Sequence, residues 1–275
     1  MSGSATALPE FEKPPVIEVA VSIQFKEIAK ISAPHLGMLW AEHYRERYPQ
    51  AQQHPPLANV RETFSPVPAR ATVEVLPNMP VPRCWFLNEH GTRLIQVQAD
   101  RFVLNWRKLD TGESYPRYKM IKEQFTKEFA RFEKWLRTEG LGEIEVDQSE
   151  LTYVNHVFEG DGWSTGDDIG NVLTLWSGSV HDDYLHEPED VRFATRYVMP
   201  VAEKPTGRLH VRAETARRIS DDRRLIKLSL IGRGPPIGEA IEGAMTMMDQ
   251  AHEWIVRGFA AITSAEMHQR WERIQ

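Results

Sequence analysis

The stretch 93–107, RLIQVQADRFVLNWR, constrains this chain most, because two runs of strict alternation are separated by only a tight reversal. In the first run Ile95, Val97 and Ala99 share one side, and Leu94, Gln96, Gln98 and Asp100 share the other. After the reversal near Asp100-Arg101, Phe102, Leu104 and Trp106 oppose Arg101, Val103, Asn105 and Arg107. A period of two puts successive side chains on opposite faces of a strand, so the pattern predicts a hairpin. One of its faces is apolar and the other polar, which suits a sheet covered on one side and wet on the other. Glutamine and asparagine amides beside guanidinium forks are also the groups that recognise a carboxylate, a phosphate or a peptide. The same residues would equally serve as solvent-facing strand positions or as a network that fixes strand register.

Upstream, 1–13 reads as a flexible tail, and Pro14-Pro15 marks the start of order. The run 16–25, VIEVAVSIQF, is rich in β-branched residues and predicts a strand. Glu18 lies inside it and needs a partner; Arg107 or Arg101 is the natural one, with Arg117 a third candidate. Helical spacing of Leu36, Leu39, Trp40, Tyr44 and Arg47 predicts a helix over 34–48, ended by Pro49. From 49 to 82 eight prolines exclude ordinary helix, leaving a long excursion with one short strand near 72–76. A further strand is predicted over 83–88. Ile121, Phe125, Phe129, Phe132 and Leu136 then form an apolar stripe that predicts a helix over 118–138, closed by Gly140 and Gly142.

The second half repeats this order. ELTYVNHVF at 150–158 answers the first strand, Glu150 standing where Glu18 stood, and Val172-x-x-Leu175-Trp176 echoes Leu36-x-x-Leu39-Trp40 on an expected helix. Strands follow over 191–199, 208–219 and 224–231, then a long helix from Ile237, with Thr263-x-x-Glu266 as a capping box before a last turn. Arg208 or Arg212 is the expected partner of Glu150. The reading is therefore α+β: two pseudo-repeated units, β-α-β(3-4)-α, at 14–142 and 143–275. Together they form one largely antiparallel sheet with the long helices on one face.

Charge and motifs narrow the function. Net charge is −6. It divides into +3 over 1–140 (19 Lys+Arg, 16 Asp+Glu) and −9 over 141–275 (14 and 23). That balance disfavours general nucleic-acid binding, although a basic face on the first half, with Arg93, Arg101, Arg107, Arg117 and Lys119 beside Trp106 and Tyr118, keeps the possibility open. There is no nucleophile elbow, phosphate loop, HExxH or CxxC, so no cofactor or metal is expected. An acidic loop around His181-Asp182-Asp183 and His186-Glu187 reads as solvated, and Asn155-His156 lacks a nucleophile to serve. A lone cysteine, Cys84, and the lack of a leader or an 18-residue apolar run lead us to expect a cytoplasmic protein with no membrane span.

PPVIEV with a following IQF, QVQADRFVLNWR, YPRY, ELTYVNHV and AHEWIVRGFAAITSAEMHQRW resemble a sporadically distributed family of uncharacterised bacterial proteins, over nearly the whole chain. The resemblance carries no established activity. It picks out Gln96, Gln98, Asp100, Arg101, Phe102, Asn105, Trp106, Arg107, Tyr115, Arg117 and Tyr118 as a characteristic block. Candidate binding residues are accordingly Gln96, Gln98, Arg101, Asn105, Arg107, Arg117 and Tyr118, with Glu18 and Glu150 as candidate structural ion-pair members. The expected function is a non-enzymatic interaction protein that offers a polar sheet face or groove to a protein or peptide. A nucleic-acid-binding accessory role and a small-molecule enzyme with an unfamiliar site are the alternatives.

Overall fold

The computed structural model describes residues 7–64, 80–178, 183–201 and 203–275. The strands are β1 (Val16–Phe25), β2 (Gln50–His54), β3 (Arg83–Leu87), β4 (Arg93–Gln98), β5 (Arg101–Arg107), β6 (Val146–Phe158), β7 (Arg192–Val201), β8 (Lys204–Arg217) and β9 (Arg224–Gly234); most carry alternation or β-branching, whereas β2, QAQQH, carries neither and pairs only with β3 at the sheet edge. All nine join one antiparallel sheet in the order β2-β3-β4-β5-β1-β6-β9-β8-β7. β1 and β6 lie side by side at its centre, so the sheet runs unbroken from residues before 142 to residues after it. Among the described residues there are five α-helices: α1 (Ala33–Leu39), α2 (Arg117–Thr138), α3 (Ile169–Val172), α4 (Ala240–Ile262) and α5 (Ala265–Arg270). No described helix is long and apolar enough to cross a membrane.

The apolar side of the sheet carries the core. Phe102 on β5 meets Phe125, Phe129 and Phe132 of α2 at ring-centroid distances of 5.8, 5.5 and 5.3 Å. The stripe that predicted α2 is thus the stripe that it buries. Its end is a Schellman turn: Gly140, at φ 62°, donates to Arg137 O, and Leu141 donates to Leu136 O. α4 packs on β6 and β9. It comes so close that a Cβ on Gly232 would sit 2.6 Å from Ala251 Cβ. Here glycine is required by contact rather than by conformation.

Several sequence expectations are corrected. The helix over 34–48 is α1 followed by one π turn, Trp40–Tyr44, in which Arg45 N donates to Trp40 O. In the second half, α3 ends at Val172 and leaves Leu175 and Trp176 outside it, so the matched sequence there is not matched helix. The cap of α5 is Ser264, whose Oγ accepts from Met267 N, while the Thr263 hydroxyl donates back to Phe259 O. Of the expected tail, 1–6 lie outside the described residues, whereas Phe11 is buried against Phe259 and Trp271, and Glu12 and Lys13 donate to the C-terminal main chain. The strand expected over 72–76 and the pair His181-Asp182 also lie outside the described residues.

Candidate functional site

Antiparallel register decides which side chains meet on the polar side. One row across the sheet reads Gln98, Arg101, Gln24, Gln148 on β4, β5, β1 and β6. The next reads Gln96, Val103, Ser22, Glu150, Arg233, Arg208 on β4, β5, β1, β6, β9 and β8. Asn105 and His210 belong to the row beyond. The hairpin was expected to show this face to water. Instead Gln98 is 3% and Arg101 8% exposed, because a segment of the proline-rich excursion lies across them.

That segment, 57–63, crosses the first row and is held mainly by its backbone. Gln98 grips one residue twice: Leu57 N donates to its Oε1 at 2.9 Å, and its Nε2 donates to Leu57 O at 3.0 Å. Arg101 donates to Ala58 O at 3.1 Å and to Gln24 Oε1. Gln24 in turn accepts from Val60 N at 3.2 Å and donates to Asn59 Oδ1 at 3.0 Å. Gln148 donates to Val60 O at 2.6 Å and accepts from Glu62 N at 2.9 Å. Side-chain amides here do what a neighbouring strand's peptide groups would do. The segment contributes little apolar burial of its own: Ala58, Asn59, Val60, Arg61 and Thr63 remain exposed.

At its far end Glu62 meets two arginines and a histidine. Arg208 Nη1 donates to Oε2 at 2.6 Å and to Thr63 O at 3.0 Å. His210 Nε2 lies 2.5 Å from Oε1, and Arg233 Nε 3.0 Å from it. Burial by itself would raise the Glu62 carboxyl, but the hydrogen bonds from His210 and Arg208 and the nearby charges hold it down at about 2. The carboxylate is therefore ionised at any ordinary pH. Beside it runs a groove of ≈ 650 Å³ whose walls include Arg196, Arg208, Arg212 and Arg233.

The remaining expected residues separate. Gln96, Asn105 and Glu18 form a relay: Arg83 donates to Gln96 (2.9 Å), Gln96 to Asn105 (2.7 Å) and Asn105 to Glu18 (2.6 Å). Arg107 faces Glu18 in register but folds back, giving Nε and Nη2 to Gly91 O at 3.1 and 2.7 Å. Glu18 is only half-buried, so an amide donor and water suffice for it, and the expected ion pair to Arg107, Arg101 or Arg117 does not form. For Glu150 the cation is Arg233, its register partner, at 3.3 Å, in place of Arg208 or Arg212.

Arg117 and Tyr118 lie away from this face, beside Tyr153 and Asn155 of β6 and Leu230 of β9. There a cavity of ≈ 310 Å³ is lined by Phe11, Tyr115, Arg117, Tyr118, Tyr153 and His252, among others. Tyr118 stacks on His252 at 4.0 Å and donates to Asp249 at 2.9 Å, while Tyr115 and Tyr153 share a 2.8 Å hydroxyl contact. Arg117, at φ 67°, donates to Phe11 O at 2.8 Å, which places its guanidinium on a main-chain carbonyl and not on a free anion site at the helix start. Burial, opposed by the carboxylates of Asp249 and Glu253, lowers His252 to about 4 and leaves it neutral near pH 7. Trp106 is fully buried against Tyr115 and offers no stacking surface for a nucleic acid. Asn155 and His156 point to opposite faces, as alternation demands, and Asn155 donates to Leu228 O. Among the described residues no group of three or more His, Cys, Asp or Glu is arranged to hold a metal.

Sequence reading missed Gln24, Gln148, Glu62, Arg208, His210 and Arg233 as one assembly. The local signal was present, since Gln24 and Gln148 both sit on the polar parity of their strands, but only the β1-β6 pairing makes them neighbours. Comparison of the chain with protein-family models, with curated proteins and with solved structures finds no match.

Proposed function

We propose that this protein is a non-enzymatic interaction module that binds an extended peptide segment of a partner protein on its polar sheet face. One observation carries the reading: Gln98, Gln24, Gln148 and Arg101 grip the main chain of 57–62, while Ala58, Asn59, Val60 and Arg61 stay exposed. A surface that holds peptide backbone through side-chain amides gains affinity from groups every peptide has, and specificity from the few side chains that reach it. The sequence resemblance to a sporadically distributed bacterial family, the two-unit β-α-β-α organisation and a cytoplasmic setting belong to the same proposal. The strand order, with β5 beside β1 and β9 beside β6, supports the two-unit reading. So do the contacts of α2 with β5 and of α4 with β9, which register places on one side of the sheet.

The test is a random peptide library panned against the full chain carrying Gly/Ser at 57–63. Enriched peptides should bind this chain and lose binding when Gln98 and Gln148 are both changed to Ala. Failure to enrich any peptide, or binding indifferent to the two glutamines, contradicts the reading. A second reading rests on the ≈ 310 Å³ aromatic cavity, with Arg117 and a neutral His252 among its walls: a small-molecule site. A metabolite screen by thermal shift, compared with Tyr118→Ala, tests it; no ligand that raises Tm in wild type alone removes it.

A further inference from the structure

The cluster around Glu62 goes beyond what holding a backbone requires. Arg208, His210 and Arg233 converge on one carboxylate, and in the adjoining groove Arg196 and Arg212 have no carboxylate within 4 Å among the described residues. Arg101 is buried on the same face, yet its Nε has no hydrogen-bond partner among the described residues. The chain's own segment therefore leaves cationic donors unused, though it fills the central position. Its removal would uncover amides and guanidinium groups, which water can solvate, and little apolar surface.

We propose, building on the peptide-binding reading, that Glu62 occupies a receptor for an acidic side chain of the partner. The segment 57–63 is then an internal competitor that the partner displaces. The ligand is an extended peptide carrying Asp or Glu two residues after the residue whose carbonyl Gln148 holds. Further acidic residues beyond that point would meet Arg196 and Arg212. A competitor tethered in the same chain acts at an effective concentration of about millimolar, so it sets a threshold that only an acidic, well-matched peptide passes.

Three probes test this by fluorescence anisotropy: the synthetic peptide of residues 57–63, LANVRET, its Glu→Gln form, and a single-stranded oligonucleotide. Each is titrated into wild type and into the chain with Gly/Ser at 57–63. LANVRET should bind the Gly/Ser chain at least ~10-fold more tightly than wild type, and the Glu→Gln peptide at least ~10-fold more weakly, because a charge-assisted contact is lost. Equal binding of both peptides to the Gly/Ser chain overturns the acidic receptor and leaves peptide binding standing. No binding of either peptide overturns both, and binding of the oligonucleotide alone does the same in favour of a nucleic-acid face. Should the Gly/Ser chain fail to fold, Glu62→Gln in the full chain serves instead. Trypsin cleavage after Arg61 should then accelerate at least ~10-fold with melting nearly unchanged, and unaltered cleavage overturns the proposal.

Discussion

The two sides of the sheet are held down by different physics, although the same strands supply both. On the apolar side, Phe102 packs on three rings of α2, Gly232 makes room for Ala251 of α4, and Val21, Leu151 and Leu230 are fully buried. On the polar side, Gln98, Gln24 and Gln148 meet 57–63 through directional hydrogen bonds. Losing the first cover exposes hydrocarbon to water, at roughly 25 cal/mol per Å². Losing the second exchanges each protein hydrogen bond for one to water, a net of roughly 0.5–1.5 kcal/mol apiece. That difference predicts that the first cover is integral to the fold and the second a separable layer.

The largest effect that sharpens this contrast comes from the apolar side. Phe102→Ala removes a fully buried ring that touches three rings of α2, and should destabilise by about 3–5 kcal/mol in urea unfolding. Gly232→Ala comes next, at about 1–3 kcal/mol, because the new methyl would overlap Ala251 of α4 and push the helix off β9. On the polar side, Glu62→Gln should cost less than about 2 kcal/mol, as the freed cations can hydrate once the segment lifts. A value of about 3–5 kcal/mol, the mark of a stranded buried charge, would break the contrast. Arg107→Ala belongs with the small effects, at about 1.5 kcal/mol, since this arginine braces the Gly91 turn and does not neutralise Glu18.

How much of this was legible follows from distance along the chain. The parity that put Gln96, Gln98, Arg101 and Asn105 on one face and Phe102 and Trp106 on the other was readable, because a hairpin brings only near residues together. What covers that face was not: Leu57 lies 41 residues from Gln98, and Glu62 lies 148 from His210. Nothing local to Glu62 marks it as an anchor. Arg117 and Tyr118 were grouped with the strand residues because they are close in sequence, yet the chain turns at the start of α2 and carries them to the other side. A shared block in sequence was divided by the sheet itself.

A further expected effect is one of pH. The folded carboxyl of Glu62 is held at about 2 against an ordinary 4.5, so the unfolded or lifted segment binds its proton more readily. Its contribution to docking is complete above pH 4.5 and is lost as pH falls towards 2. Protection of the Glu62 amide should decline through that window in wild type and stay flat in Glu62→Gln.

Native-state hydrogen exchange near neutral pH, followed at rising sub-denaturing urea, tests separability most directly. The amides of Leu57, Val60 and Glu62, which donate to the three glutamines, should exchange through a low-energy opening that urea hardly affects. Amides of Val21 and Leu151, in the central β1-β6 ladder, should exchange only by global unfolding, with the full urea dependence. If the segment and the ladder share one opening energy and one urea slope, the segment is part of the fold and the polar face is no binding surface.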